Sequence, residues 1–319
     1  MAYKAVVIHR MDDNNVGDMS ADPLQYFLKE DEYHRIDVTN VGKEPFPDDV
    51  PIIYGGGGLL ANEFFGSKVN LMFSQPDVMQ LENLWENRWF LCNKKYQKEH
   101  HEFSVNLKKQ VVELIKQIRP DGYNTSRIVW GAGHNTRDFP SNWQASDIRY
   151  PKALRDFDLI GIRDWWDEDY QMQHPEMEWV PCASCMHPAL GKKYSIKNDI
   201  IIFEHKKQLI KSTEYGQESV PRFVNSGNNL EQTIELLGSA NYIITNSYHG
   251  AYWGTLLGKK VMLVGPWSSK FYGLKHRPFM KMKATGWFEQ LDMTRNFPEA
   301  LSECQNVTEN YWHKVKAML

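Results

Sequence analysis

Residues 241–265 read NYIITNSYHGAYWGTLLGKKVMLVG. A β-branched apolar run ends at Thr245, and a polar turn then presents Asn246, Ser247 and His249. Gly250 opens an apolar helix, GAYWGTLLG, and Val261 to Gly265 is the next strand. Strand, helix and strand in this order, each apolar throughout, predict a crossover unit of a parallel sheet.

The same grammar extends outward in both directions. Towards the N-terminus, Ala5 to His9 (AVVIH) predicts a strand, followed by the loop RMDDNNVGD and a helical stretch, MSADPLQYFLKE. Further strands are expected at Ile36 to Thr39, Pro51 to Tyr54, 127–133 (RIVWGAG) and Asp158 to Arg163. Pro51–Tyr54 runs into Gly55–Gly58 and then LLANEFF. Residues 104–118 predict a helix, stopped by Arg119-Pro120-Asp121-Gly122, and Asp164 is placed to cap a helix beginning WWDEDYQ. Residues 186–198 (MHPALGKKYSIKN) look like a linker. Beyond them come Asp199 to Glu204, the helix NLEQTIELLG and the unit quoted above. No fixed-period repeat or low-complexity segment interrupts the series.

The expected fold class is therefore α/β, with two Rossmann-like lobes: residues 1–190, and residues 191–319 with C-terminal helices. The chain's 319 residues fit two domains. Ligands of such sheets bind at the carboxyl ends of the strands, which puts the site in an interdomain cleft.

Composition narrows the function classes. The net charge of −3 gives no basic excess for nucleic acid or an anionic lipid surface, so an anionic substrate must be met by locally gathered cations. The 11 Trp and 15 Tyr suit both a large core and flat platforms for sugar faces. No stretch reaches the ~20 apolar residues of a membrane span, and the first residues read as a strand rather than a signal peptide, so a cytoplasmic location is expected. Four cysteines make no disulfide framework. Cys182 and Cys185 form a CxxC to which His187 could add a third zinc ligand, but no second CxxC supplies a fourth, and a structural loop is the favoured reading.

Chemistry concentrates at the turns. A helix start offers backbone N–H groups to an anion, and the imidazole of His249 beside it is expected to exchange protons near neutral pH. Asn246, Ser247 and Gly250 complete this anion site. Lys270, Lys275, His276 and Arg277 follow the strand 261–265 and supply candidate cations. On the first lobe, Asn15, Gly17 and Asp18 sit after the first strand, where Asp18 is either a second catalytic group or a helix cap. Gly57 permits close backbone approach, and His134 follows the 127–133 strand. The glycine run lacks the Gly-Lys-Ser/Thr of a phosphate loop and the dinucleotide spacing.

In block order, Asn15-Val16-Gly17-Asp18, Gly55–Leu59, Gly131-Ala132-Gly133, Ile162-Arg163-Asp164 and Ser247-Tyr248-His249-Gly250 before LGKKV resemble the polysaccharide pyruvyl transferase family over about residues 5–285. The resemblance implies a two-lobed, GT-B-like architecture. It implies transfer of the pyruvyl group of phosphoenolpyruvate to two hydroxyls of a sugar or lipid-linked glycan, with release of phosphate and no metal or other cofactor. It makes Arg163 and His249 donor-site residues. Many members carry Arg where this chain has Ser247, so other cations must hold the donor. Two alternatives stand beside it. One is a nucleotide-sugar glycosyltransferase, which needs a carboxylate for the ribose, with Glu231 or Glu235 as candidates. The other is a non-catalytic sugar-binding protein.

Overall fold

The computed structural model describes residues 3–38, 50–60, 125–135, 157–165, 176–210 and 219–319. The expected LLANEFF, 104–118 and WWDEDYQ helices, and the 119–122 stop, lie outside these residues.

Strands β1 (Ala5–His9), β2 (Tyr33–Asp37), β3 (Ile52–Gly55), β4 (Arg127–Ala132), β5 (Leu159–Ile162) and β6 (Met177–Trp179) form one parallel sheet in the order 2-1-3-4-5-6. Strands β7 (Asn198–His205), β8 (Arg222–Asn225), β9 (Ala240–Thr245), β10 (Lys260–Val264) and β11 (Phe279–Lys281) form a second, in the order 11-10-9-7-8. Among the described residues the strand pairings in both sheets are parallel, as in Ile8↔Tyr54 and Ile202↔Ile244. This is the two-lobed α/β plan expected.

The apolar runs explain the burial. In β1 all five residues are buried. Ala5 and Val7 pack on one face with Ile53, Trp130 and Tyr311, while Val6 and Ile8 pack on the other with Tyr54 and Val129. In the second sheet Ile201, Phe203 and Ile243 face one core, and Ile202, Ile244 and Met262 the other. A strand buried on both faces has no polar side to present, which is why these runs do not alternate.

Helix α2 (Leu230–Gly238) matches the prediction, whereas α3 (Tyr248–Leu256) starts two residues before the expected Gly250 because Ser247 caps it, so His249 lies on its first turn. Every residue of α3 is buried. The final helix, α4 (Ala300–Lys316), starts against the second lobe through Ala300 and Cys304 and then crosses to the first. There the Tyr311 hydroxyl donates to the Val129 carbonyl at 2.6 Å and its ring meets Trp130 edge-on. The helix thus belongs to both lobes.

Three local readings are corrected. MSADPLQYFLKE is not one helix: α1 (Val16–Met19) stops early, and only single 3-10 turns follow at Leu24–Tyr26 and Glu30–Glu32. Pro23 disfavours helical backbone at Asp22, whose carboxylate instead accepts from Leu24 N–H, the Tyr33 hydroxyl and Arg35 Nε. The second strand runs over Tyr33–Asp37 rather than starting at Ile36. The 186–198 segment is only partly a linker, because 3-10 turns Ala183–Met186 and Pro188–Gly191 bury Cys185, Ala189 and Leu190 in the core; the exposed passage is 191–197.

Candidate active site

Strand order decides where the loops part. In the first sheet β2 and β3 flank β1; in the second β8 and β9 flank β7. At such a reversal the loops leave in opposite directions and open a crevice. The loops after β1 and β3 and those after β7 and β9 all contribute to one cleft. Of the residues singled out in the sequence, Asn15, Asp18, Gly57, Arg163, Ser247, His249 and Lys270 line it.

Arg163 leaves the end of β5 and is only 3% exposed. Its guanidinium lies 3.9 Å from the centre of the Tyr248 ring. Gly133 makes the room, since a Cβ there would stand 2.5 Å from Nε. Nε has no hydrogen-bond partner, and among the described residues no carboxylate pairs with the group. Asp164, its sequence neighbour, accepts instead from the His134 backbone N–H. A buried cation that makes no close ion pair is costly to the fold, and an anionic ligand would complement it.

His249, on the first turn of α3, stacks on Trp253 with ring centroids 4.9 Å apart and meets Tyr248 edge-on. Nε2 lies 3.8 Å from the Cys182 sulfur. Burial, followed by the charges of Arg163 and Lys270, holds its pKa well below the ordinary histidine value, so the imidazole is neutral near pH 7. The expected titration near pH 7 is corrected accordingly. Asp18 shifts the other way: desolvation raises its carboxyl to about 6 against the pull of Lys270. Its Oδ2 accepts from Asn15 Nδ2 at 2.8 Å. The cap of α1 is Asn15, whose Oδ1 accepts from Gly17 N–H, so Asp18 is not the cap.

Other expected residues turn elsewhere. A Cβ on Gly17 would overlap His249 Nδ1 and stand 2.8 Å from Cε1, so this glycine houses the imidazole. Asn246 accepts from His205 N–H at 2.8 Å and donates to the Gln208 carbonyl at 2.6 Å, bracing a turn. Gly250 packs on Phe203, and its N–H goes to Ser247 Oγ, the cap of α3. Lys275 and His276 share Glu303 of α4, at 2.5 and 2.7 Å. Arg277 donates to the Tyr272 carbonyl. His134 Nδ1 is 2.6 Å from Ser269 Oγ, and burial pulls its pKa to about 4. Glu231 and Glu235 form exposed pairs with Lys192 and Lys197 on α2, and do not line the cleft. Cys182 and Cys185 are free and buried, and among the described residues no group of three His, Cys, Asp or Glu side chains is placed to hold a metal ion.

No family model matches the chain, and no curated protein matches it either. Among solved structures it is similar to a functionally uncharacterized protein from Klebsiella pneumoniae subsp. pneumoniae NTUH-K2044. The identity is 15% and the TM-score 0.36, over 82% of this chain and 83% of that one. It is also similar to a variant of the wall teichoic acid polymerase TagF, at 10% identity and a TM-score of 0.28, over 60% of this chain and 64% of that one. Neither likeness bears on chemistry. No helix among the described residues is long and apolar enough to cross a membrane.

Sequence reasoning missed the residues that join the lobes at the cleft. Asn225, at the end of β8, donates to Asn15 Oδ1 at 3.3 Å and to Ser247 Oγ at 3.2 Å. Lys206, just past β7, holds Asp12 at 2.7 Å and the Asn14 carbonyl at 2.9 Å. The strand-end rule that found His249 reaches His205 and Asn225 once their strands are drawn to full length.

Three buried histidines, His9, His134 and His249, are held below their ordinary pKa, chiefly by desolvation. The unfolded chain binds these protons and the folded one does not, so their stabilising contribution is present above about pH 6.5 and is lost as pH falls towards about 4. Thermal denaturation at a series of pH values should show Tm falling steeply through that window. A flat profile contradicts the neutral assignment.

Proposed function

We propose that this cleft transfers the pyruvyl group of phosphoenolpyruvate to two hydroxyls of a sugar, forming a cyclic ketal and releasing phosphate. The observation that carries the reading is the buried guanidinium of Arg163, which makes no close ion pair among the described residues, with Lys270 also lining a cleft in which His249 is neutral. A small ligand with carboxylate and phosphate charges complements that arrangement, and a guanidinium suits either group by a two-pronged fork. The polar wall of Asn15, Asn225 and Asn135 supplies donors and acceptors for sugar hydroxyls.

The proton inventory balances without water. Of the two hydroxyl protons, one ends on the methylene carbon, which becomes methyl, and the other leaves with phosphate as the C–O bond to phosphorus-bearing oxygen breaks. Asp18, with a pKa of about 6, gives a proton to the methylene carbon and recovers one from the first attacking hydroxyl. The neutral imidazole of His249 hydrogen-bonds the anionic donor. The second hydroxyl then displaces phosphate at the same carbon. A sugar acceptor and a phosphoenolpyruvate donor are the partners of this scheme, and it uses no further cofactor.

Asp18 adds a test that works without a known acceptor. A carboxyl whose folded pKa lies above its unfolded value penalises the fold once pH exceeds the unfolded pKa, fully so above about 6. Asp18→Asn should therefore stabilise the protein at pH 8, by something on the order of 3 kcal/mol, while abolishing turnover. Loss of stability in that variant overturns the raised pKa.

Incubation with phosphoenolpyruvate and a panel of glycans is the test of function. Phosphate release together with the mass of a pyruvate ketal on one acceptor supports it, and His249→Ala should cut that rate by about 10²-fold or more. A panel that yields neither, from protein that fails to bind phosphoenolpyruvate, overturns it. The nucleotide-sugar alternative loses its carboxylate candidates, because Glu231 and Glu235 do not line the cleft.

A further inference from the structure

The CxxC at Cys182 and Cys185 is the motif left without a role. It forms a 3-10 turn packed beneath α3, and three side chains of that helix, four residues apart at most, touch it. His249 Nε2 is 3.8 Å from Cys182 Sγ, the Tyr252 hydroxyl donates to the Cys182 carbonyl at 2.9 Å, and Trp253 Nε1 donates to Ser184 Oγ at 2.9 Å. Ser184 Oγ is also 3.3 Å from Cys182 Sγ. All of these groups are buried.

The directions of these bonds follow from what each group can do. An indole N–H only donates, so Ser184 Oγ accepts from Trp253. The Ser184 hydroxyl proton must then go to its other neighbour, the Cys182 sulfur, since a buried hydroxyl proton left unmade is costly. The Cys182 thiol proton has His249 Nε2 as its acceptor. The chain runs one way: indole to hydroxyl, hydroxyl to thiol, thiol to imidazole. Nε2 is its terminal acceptor, and the proton of the neutral ring falls to Nδ1. That nitrogen lies against Gly17 of α1, between the cleft-lining Asn15 and Asp18, and makes no hydrogen bond among the described residues.

We infer that Cys182 is a positioning residue that holds His249 as the Nδ1–H tautomer, so that the imidazole offers the cleft a hydrogen-bond donor rather than a base. The tautomer itself does not depend on the pyruvyl-transfer reading; its use there does. An N–H donor beside Arg163 suits an anionic oxygen of the donor substrate, and it leaves hydroxyl deprotonation to Asp18. Cys185 stands apart from this chain: its thiol pairs with Thr308 Oγ1 at 3.3 Å, and burial pushes its pKa up to about 12.

The test is a long-range proton–nitrogen correlation spectrum of the ¹⁵N-labelled full chain at pH 7.5, with the His249 signals assigned by their loss in His249→Gln. The wild-type ring should show a pyrrole-type Nδ1 and a pyridine-type Nε2. Cys182→Ala should move the ring towards the Nε2–H form, and Cys182→Ser, which keeps a donor, should restore Nδ1–H. A wild-type ring with a pyrrole-type Nε2 overturns the inference whether or not either variant folds. A Cys182→Ala spectrum identical to wild type overturns the role of the thiol. Failure of phosphoenolpyruvate turnover leaves these spectra unchanged, so the two readings fail separately.

Discussion

Arg163→Met should lower kcat/KM for phosphoenolpyruvate by about 10²-fold or more, the usual scale for removing a buried charge that meets a ligand charge, while leaving Tm no lower than wild type. The second half is the unusual part. Loss of a buried arginine ordinarily destabilises by stranding its partner. Among the described residues no close ion pair would be broken: Nε lacks an acceptor, the Asp164 carboxylate accepts from the His134 backbone N–H, and the contact given up is the stack on Tyr248. That stack contributes roughly 1–2 kcal/mol, which removal of a buried charge without a close ion pair offsets. Thermal denaturation without ligand, beside steady-state kinetics, checks both halves. A large fall in Tm shows that Arg163 is an internal structural cation, and the donor-site role falls with it.

Gly17→Ala should be nearly as damaging to turnover although residue 17 has no side chain to offer a ligand. Its Cβ would occupy the volume of His249 Nδ1. Gly17 is buried on α1, and the imidazole is held behind by Trp253 and Cys182. The ring has to leave its position, and displacement of a reacting group by about 1 Å costs on the order of 10² in rate. Single-turnover kinetics and the histidine nitrogen spectrum should change together in this variant. Full activity would show that the imidazole is free to relocate, and that its placement is not what the cleft requires.

The strands were legible because a strand buried on both faces writes an uninterrupted apolar run, as in AVVIH and DIIIFE. Strand β8 was not, because its residues alternate between exposed and half-buried up to Asn225, and β11 has three half-buried residues and no apolar run. The site was legible where a strand end and a glycine turn coincide, as at His249 and Gly57, whereas Arg163 entered only through the family resemblance. What misled was sequence proximity. Lys275, His276 and Arg277 look like a basic patch, but α4 brings Glu303 to the first two from 28 and 27 residues further on, and a carbonyl takes the third. Asn246 and Gly250 sit beside His249 in the chain, yet their hydrogen bonds and packing serve the turn and the helix start. The role of the CxxC was equally hidden, since Cys182 meets His249 across 67 residues of chain. Contacts between distant segments carry no local signature, whereas periodicity and turn chemistry do.

The most direct test is calorimetric titration of phosphoenolpyruvate into the wild-type chain and into Arg163→Met at low salt. Saturable binding to the wild type, weakened about 10²-fold or more in the variant and competed by inorganic phosphate, is the predicted result. Equal affinity in the two proteins, or no binding to either, contradicts the claim that this cleft is built around a multiply charged anion.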